Sequence, residues 1–517
     1  MRAAAILLLA LVLATAAAAA RSVGTAGNDR LVGTAKADTI LGLAGRDRIQ
    51  GGPGADLLVP GPGRDSVEAG PGDDRVVAQY DGARDVVRCG AGFDLVNTDL
   101  ADSVARDCEL VGRRLSRDPY TNPESQHETQ VEPDSFTVGT RTVATYQVGR
   151  RFDGAATNIG FATSSDDGRT WRSGLLPGLT TASRPAGRHT RASDPVVAFD
   201  EVHGVWLIST LAIEAPATRL TVSRSADAVT WSAPTVATEA TASGGVTLDK
   251  SWIACDNGPA SPFRGRCYLA YTDNLRGDVL ALVSSSDGGL TWTAPVALPV
   301  SGAVGALPVV RPTGELVVVY LRGTQSVGSV LSADGGVTFG APVTVSDVQV
   351  RNAQGLRFFP LPAADVDPTS GRVWVTWHDC RFSTGCTENS VVVSTSADGR
   401  TWTPPGRVTS ARNAYLPTIG IHPRTGRAAL AYYVLRPGGG IDFELVESRP
   451  GGAGWGTPRL LSAQTMRPDW LPDTVSGRML ADYVSVHYAG ARPLVVWVLA
   501  SQPLGVSLRQ AVYATRG

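Results

Sequence analysis

An aspartate recurs every nine residues near the start of the chain, at Asp29, Asp38, Asp47, Asp56, Asp65 and Asp74. An aliphatic residue follows each of them two positions later, at Leu31, Ile40, Ile49, Leu58, Val67 and Val76. Glycine stands two positions before five of the six aspartates, and Lys36 takes that place before Asp38. Glycine supplies the positive φ angles of a tight turn, and a short strand can then place the aliphatic side chain inside. The period therefore predicts a parallel β-roll built from one turn and one strand per repeat.

The pattern G-G-x-G-x-D-x-U-x resembles hemolysin-type (RTX) repeats from residue 24 to about residue 80. The resemblance implies that calcium is the cofactor and that the six aspartates are its ligands, together with backbone carbonyl oxygens. A weaker continuation runs through Asp85, Asp94 and Asp102. Thr25, Thr34 and Leu43 replace the second glycine of the first three repeats, so we expect weaker binding in those turns. Because ion binding and folding are coupled in such a site, we expect the roll to be disordered without calcium.

A different repeat, S-x-D-x-G-x-T-W, occupies the second part of the chain. Complete copies begin at Ser164, Ser285 and Ser332, the last with Phe339 in the final position. Shorter copies that lack one turn residue begin at Ser225 and Ser396. A sixth copy, from Ser448 to Trp455, has lost the aspartate.

These copies resemble the Asp-box, or BNR repeat, of sialidase-like β-propellers, and the resemblance covers residues 132–517. It implies an all-β fold, in agreement with 58 glycines and 33 prolines, a composition typical of turn-rich β proteins. In that family the boxes lie on the outer rim, away from the central cleft. The resemblance therefore implies that Asp166 and Asp287 hold hairpin turns through backbone N–H groups and are not catalytic.

Strand-like runs between the boxes predict how many four-stranded blades the propeller has. Six units of three strands plus a box begin near residues 132, 191, 248, 305, 358 and 414. A seventh unit begins near residue 479 and has no box after it; we expect its fourth strand to come from the segment near residue 125. Residues 132–517 divide best into seven blades of about 55 residues each. Six blades, the sialidase norm, are the alternative.

The sequence divides into four segments. Residues 1–20 are interpreted as an export signal, because an apolar run follows Met1-Arg2 and the small residues Ala18-Ala19-Ala20 offer a cleavage site. Residues 22–111 are assigned to the β-roll, residues 112–131 to a polar linker and residues 132–517 to the propeller. A membrane anchor is the alternative to the signal, but its apolar part is short for a span. We expect an extracellular monomer, secreted or held at the cell surface, without a transmembrane anchor.

Six cysteines form three local pairs, Cys89/Cys108, Cys255/Cys267 and Cys380/Cys386. An even number in an exported protein predicts three disulfides, and the spacing does not match paired C-x-x-C zinc ligands. Basic and acidic residues nearly cancel, 47 against 48, which argues against a nucleic-acid partner. Neither of the two lysines, Lys36 and Lys250, lies in a P-loop sequence, so a P-loop NTPase is excluded.

Propellers place ligand sites at the mouth of the central channel, where the innermost strands begin. The predicted strand starts carry Glu132, Asp134, Arg191, Asp194, Asp249, Lys250, Trp252, Arg357, Arg412, Tyr415, Arg478, Asp482 and Tyr483. A loop after a middle strand adds His378, Asp379, Cys380 and Arg381. Sialidases use a tyrosine nucleophile, so we interpret Tyr483 as the nucleophile and Asp194 or Asp249 as the acid/base. Arg191, Arg357, Arg478 and Asp482 are the candidate substrate-binding residues.

Two functions fit this set. The first is an exo-glycosidase, similar to exo-α-sialidases, that acts on acidic glycans, since the arginine fork suits a substrate carboxylate. The second is a non-catalytic propeller that binds glycans or glycoproteins at the cell surface. The Arg-Ile-Pro motif of sialidases is absent, because Arg141, Arg150 and Arg151 are not followed by Ile-Pro, and this favours the second. The sequence contains neither the H-E-x-x-H motif of zinc hydrolases nor the G-x-S-x-G motif of serine hydrolases.

Overall fold

A computed structural model describes residues 19–241, 247–409, 413–449 and 454–517. Residues 1–18 of the predicted export signal and Arg412 lie outside the described residues. The chain separates into two compact units, one ending at Val96 and including Ala101–Glu109, the other made of Asn97–Leu100 and Leu110–Gly517. Within the described ranges, none of the helices has the length and apolar character that crossing a bilayer requires.

The first unit is the predicted parallel β-roll. Its strands are β1 (Arg21–Val23), β2 (Arg30–Val32), β3 (Thr39–Leu41), β4 (Arg48–Gln50), β5 (Leu57–Val59), β6 (Ser66–Pro71), β7 (Arg75–Ala78), β8 (Val86–Ala91), β9 (Leu95–Thr98) and β10 (Ser103–Val104). Odd-numbered strands pair in one sheet and even-numbered strands in a second, with parallel registers such as Ile40 to Leu58 and Ile49 to Val67. Each nine-residue repeat thus adds one strand to alternate sheets.

The aliphatic residue of each repeat forms the core of the roll. Ile40, Ile49, Leu58, Val67 and Val76 are all at most 1% exposed. Burying one such side chain contributes roughly 1.5–3 kcal/mol, a small amount for a unit with strands of three residues. The roll has a narrow core, so its aspartate-rich turns must contribute to its stability.

The second unit contains all the other strands. In chain order these are β11 (Leu110–Arg114), β12 (Gln130–Val138), β13 (Arg141–Arg150), β14 (Ala156–Ser164), β15 (Arg172–Leu175), β16 (Arg191–Asp200), β17 (Val205–Glu214), β18 (Ala217–Ser225), β19 (Thr235–Thr241), β20 (Leu248–Cys255), β21 (Cys267–Asp273), β22 (Val279–Ser285), β23 (Val296–Ala297), β24 (Ala303–Val310), β25 (Leu316–Arg322), β26 (Ser326–Ser332), β27 (Val343–Asp347), β28 (Ala363–Val366), β29 (Val373–Asp379), β30 (Ser390–Ser396), β31 (Gly406–Arg407), β32 (Ala414–Ile421), β33 (Ala428–Leu435), β34 (Ile441–Glu447), β35 (Arg459–Leu460), β36 (Ser485–Ala489), β37 (Arg492–Ala500) and β38 (Gln510–Arg516).

These strands pair antiparallel in consecutive sets of four. Four separate sheets contain β20–β23, β24–β27, β28–β31 and β32–β35. The sets β12–β15 and β16–β19 are joined in one sheet through the pair Ala156–Ala192. A further set contains β36, β37, β38 and β11. The first strand of each set contacts the first strand of the next, and β36 contacts β12, so the series of first strands closes on itself.

The expected source of the last fourth strand was wrong. Gly112, Arg113 and Arg114 of β11 pair with Thr515, Ala514 and Tyr513 of β38. The segment near residue 125 forms only isolated bridges, Ser125 to Arg151 and Thr129 to Gln510. Leu110 at the start of β11 and Leu115 directly after it are buried, which explains why this strand and not the more polar later segment completes the set.

Apolar side chains pack between neighbouring sheets. One cluster joins Val196 and Leu211 to Ile253 and Leu269, and another joins Val317 and Val319 to Trp377 and Val392. The facing surfaces of neighbouring sheets are thus buried against each other, as expected for stacked antiparallel sheets with little solvent between them. All three predicted disulfides are present, Cys89–Cys108, Cys255–Cys267 and Cys380–Cys386.

The aspartate of each S-x-D-x-G-x-T-W copy holds the turn between the third and fourth strands of its set. Asp287 Oδ1 accepts hydrogen bonds from the backbone N–H groups of Leu290 and Thr291, both at 3.0 Å, and Oδ2 accepts from the Thr291 hydroxyl at 2.5 Å. Asp166 and Asp334 make the same set of bonds. These bonds lower the pKa of Asp287 to about 2, although burial acts in the opposite direction. The aspartates are therefore scaffold residues.

Replacing Asp287 by alanine is expected to destabilise the second unit by about 1–2 kcal/mol, because a comparable capping side chain contributes that much. Urea unfolding followed by tryptophan fluorescence measures the change. The matched control is Leu290→Ala in the same turn, whose side chain is 55% exposed and should alter stability little. Equal effects of the two substitutions would contradict a specific role for the carboxylate.

Candidate functional site

The aspartates of the roll form ladders along its axis. From Asp47 onward, Oδ1 of each repeat aspartate accepts the backbone N–H of the aspartate two repeats earlier. Asp65 thus accepts from Asp47 at 2.7 Å, and Asp74 from Asp56 at 2.8 Å. The other carboxylate oxygen, Oδ2, is buried without a hydrogen-bond partner in Asp47, Asp56, Asp65, Asp74 and Asp94. One oxygen therefore holds the fold, and the second is available for a cation.

Glycines at the strand ends leave room beside these oxygens. A Cβ atom added at Gly42 would lie closer than 3.0 Å to both the carbonyl oxygen of Pro60 and Oδ2 of Asp47. A Cβ at Gly51 would meet the carbonyl oxygen of Ala69 and Oδ2 of Asp56 in the same way. A carbonyl oxygen and a free carboxylate oxygen thus converge on each small space, which is the donor chemistry that calcium prefers.

Burial and mutual repulsion disfavour the charged form of the carboxylates in the roll. Burial, together with repulsion from neighbouring aspartates, raises the pKa of Asp65 to about 6, that of Asp74 to about 7 and that of Asp85 to about 8. In the described part of the chain, no group of three or more Asp, Glu, His or Cys side chains is arranged so that it could hold a metal ion by itself. Backbone carbonyl oxygens must therefore complete the ligand set, and the residues present fit calcium held between successive turns.

A β-bulge interrupts the first strand of several four-stranded sets. Glu132, Asp194 and Lys250 lie in these bulges with φ angles of 52°, 48° and 48°, and Gly305 and Leu416 occupy the equivalent bulges of β24 and β32. A positive φ is costly for side chains other than glycine and is found where the surrounding structure requires it. The bulges place three charged side chains at the start of the channel enclosed by the first strands.

Lys250 and Asp482 form the centre of this group. The ammonium of Lys250 bonds to Asp482 Oδ2 and lies 3.8 Å from Glu132 Oε1. Arg357 holds the same carboxylate with two donors, its Nε at 3.0 Å from Oδ1 and its Nη2 on Oδ2. Asp482 is completely buried, whereas Lys250 and Arg357 are 15% and 16% exposed. Two cations therefore share one carboxylate at the channel start.

Two polar residues that no sequence pattern indicated connect the remaining carboxyl groups. Nε2 of Gln147 donates to Glu132 Oε2 and to Ser193 Oγ, and the Ser193 hydroxyl donates to Asp194 Oδ1 at 2.7 Å. Oδ2 of Asp194 and Oε1 of Gln147 are buried without a partner among the described residues. Gln147 and Ser193 lie within strands, where a polar side chain facing the channel gives no recognisable motif.

The surroundings of Glu132, Asp249 and Asp482 shift their pKa values in different directions. Burial raises the pKa of Glu132 to about 8 and that of Asp249 to about 6, although Lys250 opposes both shifts. Burial acts on Asp482 in the same direction, but Lys250 and Arg357 outweigh it and hold the pKa of Asp482 well below its usual range. The environment thus shifts Glu132 towards its neutral form and Asp482 towards its ionised form, a separation found in acid/base sites.

The structure also shows where the other candidate residues lie. The Tyr483 hydroxyl donates to the carbonyl oxygen of Pro195 at 3.2 Å, and burial with nearby carboxylates raises its pKa well above the usual value. Its ring packs edge-on against Trp252. Arg191 pairs with Asp153 at 2.8 Å and Arg478 with Asp473 at 3.2 Å, so neither bonds to the Lys250 cluster.

The loop candidates form a separate arrangement. Arg381 pairs with Asp379, and Cys380 is in a disulfide. His378 packs on Tyr415 with ring centroids 5.3 Å apart, and burial lowers the pKa of His378 to about 4. Phe358 stacks on Tyr415, and the exposed Phe359 lies under the Arg357 guanidinium. Arg357 therefore has an aromatic neighbour accessible to a ligand, which the sequence analysis did not indicate.

Asp134 links two neighbouring sheets. It is 5% exposed, and its Oδ2 accepts the backbone N–H of Val197 at 2.9 Å. Burial raises its pKa to about 7. Because the folded state holds this proton more tightly than the unfolded chain does, Asp134 stabilises the fold most below pH 4, and that contribution falls as the pH rises through 7.

As the pH rises from 5 to 8, the free energy of unfolding is accordingly expected to fall less in the Asp134→Asn variant than in the wild type. Urea midpoints from tryptophan fluorescence at several pH values measure this slope. Identical slopes for the two proteins would contradict the assignment.

A cavity of about 410 Å³ runs along the first strands of the second unit. Asp194, Lys250 and Asp482 line one end, and Pro259, Pro312, Pro368 and Pro423 line the other. Glu132, Asp249 and Arg357 do not line it. The charged cluster therefore borders the cavity on one side only.

The comparisons with known proteins identify the repeats of the first unit. Residues 23–58 match the RTX calcium-binding nonapeptide repeat family model, described as four copies. No curated protein sequence matches the chain.

Several solved structures resemble the chain at low identity. A protein of unknown function from Dyadobacter fermentans DSM 18053 is 15% identical, with 63% of this chain and 94% of that one covered and a TM-score of 0.42. The Penicillium chrysogenum α-L-arabinanase is 14% identical, with coverage of 78% and 97% and a TM-score of 0.41. The Trypanosoma rangeli sialidase is 14% identical, with coverage of 65% and 57% and a TM-score of 0.41.

The aspartate ladders, the glycine-lined spaces between oxygens and the family match agree with one another. RTX nonapeptide repeats bind calcium, so calcium is the cofactor of the first unit. The chain carries RTX calcium-binding repeats at its N-terminal end, in an all-β protein.

Proposed function

We propose that this protein is an extracellular, calcium-binding glycoside hydrolase whose second unit is a seven-bladed β-propeller. The observation that carries the activity is the pair of carboxyl groups around Lys250 with separated acidities, Asp249 with a pKa raised to about 6 and Asp482 held ionised. Glycoside hydrolysis usually requires one carboxylic acid and one carboxylate near the same bond. Disulfides and RTX repeats support an extracellular location.

Strand pairing supports seven blades. Each set of four strands corresponds to one blade, and the chain closes the ring by pairing β11, near the start of the second unit, with β38 at its end. This closure also accounts for the missing seventh box, because the last blade's third and fourth strands are not consecutive in the chain. We retain the division into a β-roll and a propeller over residues 132–517, with β11 added to the propeller.

Asp249 is the proposed general acid. Its side chain is part-exposed, its Oδ1 accepts the N–H of Lys250 at 2.9 Å, and its raised pKa keeps it protonated in weakly acidic solution. Asp482 is the proposed carboxylate that stabilises positive charge developing on the sugar ring, and Lys250 and Arg357 fix its position. Arg357 and the exposed Phe359 offer a charged group and an aromatic face to an acidic sugar.

Tyr483 has a different role in this proposal. A nucleophilic tyrosine needs a nearby base and a lowered pKa, whereas the Tyr483 hydroxyl bonds to a backbone carbonyl and its pKa is raised. We therefore assign Tyr483 to the channel wall, with Trp252, and regard Arg191 and Arg478 as outer contacts.

A panel of fluorogenic glycosides, including sialosides and uronides, tests the activity with the full chain in calcium. The Asp249→Asn variant is expected to lose at least about a hundredfold in kcat, the usual contribution of a general acid. Asp153→Asn is the matched control, because Asp153 is 65% exposed and pairs with Arg191 outside the cluster. Hydrolysis that persists in Asp249→Asn would overturn the assignment of the acid.

A non-catalytic propeller that binds glycans is the second candidate. The ion pairs of Asp482 with both Lys250 and Arg357 favour it, because they hold the charged groups as a closed structural cluster. No turnover on any glycoside, combined with retention on a glycan array, would support this candidate.

A further inference from the structure

The residues that line the cavity differ in exposure along the first strands. Near the strand starts, which we call the floor, Asp194 is 3% and Asp482 2% exposed, whereas Glu201, Pro259, Pro368 and Pro423 beyond the strand ends, which we call the mouth, are exposed. Along β20 the lining runs from Lys250 to Cys255, five steps of roughly 3.3 Å or about 16 Å, and Asn257, Gly258 and Pro259 continue it beyond the strand. The cavity is therefore an elongated pocket with buried carboxylates at its floor and proline residues around its mouth.

The wall of this pocket carries apolar side chains that are incompletely buried. Phe136, Trp252, Val310 and Val366 on the first strands, and Leu361 just before β28, line the pocket and remain part-exposed. Apolar area on an interior wall is removed from water only when a ligand occupies the space, at roughly 25 cal/mol per Å². A volume of about 410 Å³ is within the range of small-molecule sites.

The floor of the pocket carries an unsatisfied hydrogen-bond acceptor. Oδ1 of Asp194 accepts from Ser193, but Oδ2 is buried without a partner among the described residues. The neighbouring Lys250 and Asp482 are already paired with each other. A buried carboxylate oxygen without a donor is costly, so the floor favours a ligand head group that donates hydrogen bonds.

We propose that this pocket binds a single-chain amphiphile, whose alkyl chain lies along the apolar wall and whose hydroxyl or ammonium head donates to Asp194 at the floor. The pocket shares Lys250 and Asp482 with the proposed hydrolytic site, whereas Asp249, Arg357 and Glu132 do not line it. Its ligand enters from the proline-rimmed mouth.

Isothermal titration calorimetry of the full chain in calcium tests the proposal with three probes: dodecylammonium and dodecyltrimethylammonium below their micelle concentrations, and dodecanol below its solubility limit. The first two have donor heads, and the third has the same chain and a charge but no N–H donor. We expect saturable binding of dodecylammonium and dodecanol at one site, with dodecyltrimethylammonium at least about tenfold weaker. Asp194→Asn, which retains an acceptor for Ser193 and replaces the free oxygen by an amide NH₂, should weaken the donor-headed probes by a similar factor.

A second variant tests the pocket independently of the floor. Ala254→Phe places a bulky side chain in the lining and should abolish binding of all three probes, whereas Val337→Phe, at a position 61% exposed in an outer turn, should leave binding unchanged. Tryptophan fluorescence verifies that each variant is folded. Absence of saturable binding, equal affinity for dodecyltrimethylammonium, or unchanged binding in Ala254→Phe would each overturn the proposal.

Discussion

Removal of calcium is expected to unfold the β-roll, with loss of its amide protection. The narrow core of single aliphatic residues leaves the roll dependent on its turns, where buried Asp47, Asp56, Asp65 and Asp74 each have an oxygen without a partner. At a calcium concentration of 100 times Kd, one bound ion stabilises the folded state by about 2.7 kcal/mol, and the roll offers several successive turns. Hydrogen exchange should therefore accelerate by roughly a hundredfold or more in peptides from residues 20–96 when a chelator is added.

Tryptophan fluorescence provides the internal reference for this experiment. All 11 tryptophans lie between Trp171 and Trp497, in the second unit, so their emission does not report on the roll. Asp65→Asn retains an acceptor for the backbone N–H of Asp47 but removes one charged ligand, so it should raise the calcium concentration needed for protection. Glu68→Gln, an exposed residue on β6, is the matched control. Equal protection of the roll with and without the chelator would contradict calcium-dependent folding.

Asp482→Asn is expected to have the largest effect on the stability of the second unit. The substitution leaves the ammonium of Lys250 and the guanidinium of Arg357 without their shared carboxylate in a site where Asp482 itself has no exposed side-chain area. Removing one partner of a buried ion pair costs about 3–5 kcal/mol, because the remaining charge stays buried. The urea midpoint of tryptophan fluorescence should fall accordingly.

Asp473→Asn is the matched control for Asp482→Asn. Asp473 also pairs with an arginine, Arg478, but it is 67% exposed, and exposed pairs contribute only about 0–1 kcal/mol. Similar small changes in both variants would show that the Lys250 cluster is solvated and does not hold the channel start together.

The repeated elements could be predicted from the sequence because, in each copy, the same residue type makes the same contacts with residues close to it in the chain. Asp56 and Leu58 recur at fixed spacing in the roll, and the turn of Asp287 is made by residues within four positions of it. The parallel roll, the disulfides and the calcium cofactor were confirmed. Strand starts near residues 191, 248 and 414 coincide with β16, β20 and β32.

The channel cluster could be predicted only as a list of candidates, because its partners are distant in the chain. Lys250 and Asp482 are 232 positions apart, and Arg357 approaches Asp482 across 125 positions. No local pattern marks Gln147 or Ser193, whose positions depend on strand register and on the bulges of β12 and β16. Likewise, the pairing of β11 with β38 depends on which segment can bury its leucines against the last sheet.

The pH dependence of kcat/KM on the best glycoside of the panel tests the central claim most directly. If Asp249 is the general acid, with its pKa raised to about 6 by burial, then kcat/KM should fall as the pH rises above 6, and the Asp249→Asn variant should lose this decline together with most of its rate. A rate that stays constant or increases from pH 6 to pH 8, or an Asp249→Asn variant with the wild-type profile, would contradict a hydrolytic site at the start of the channel.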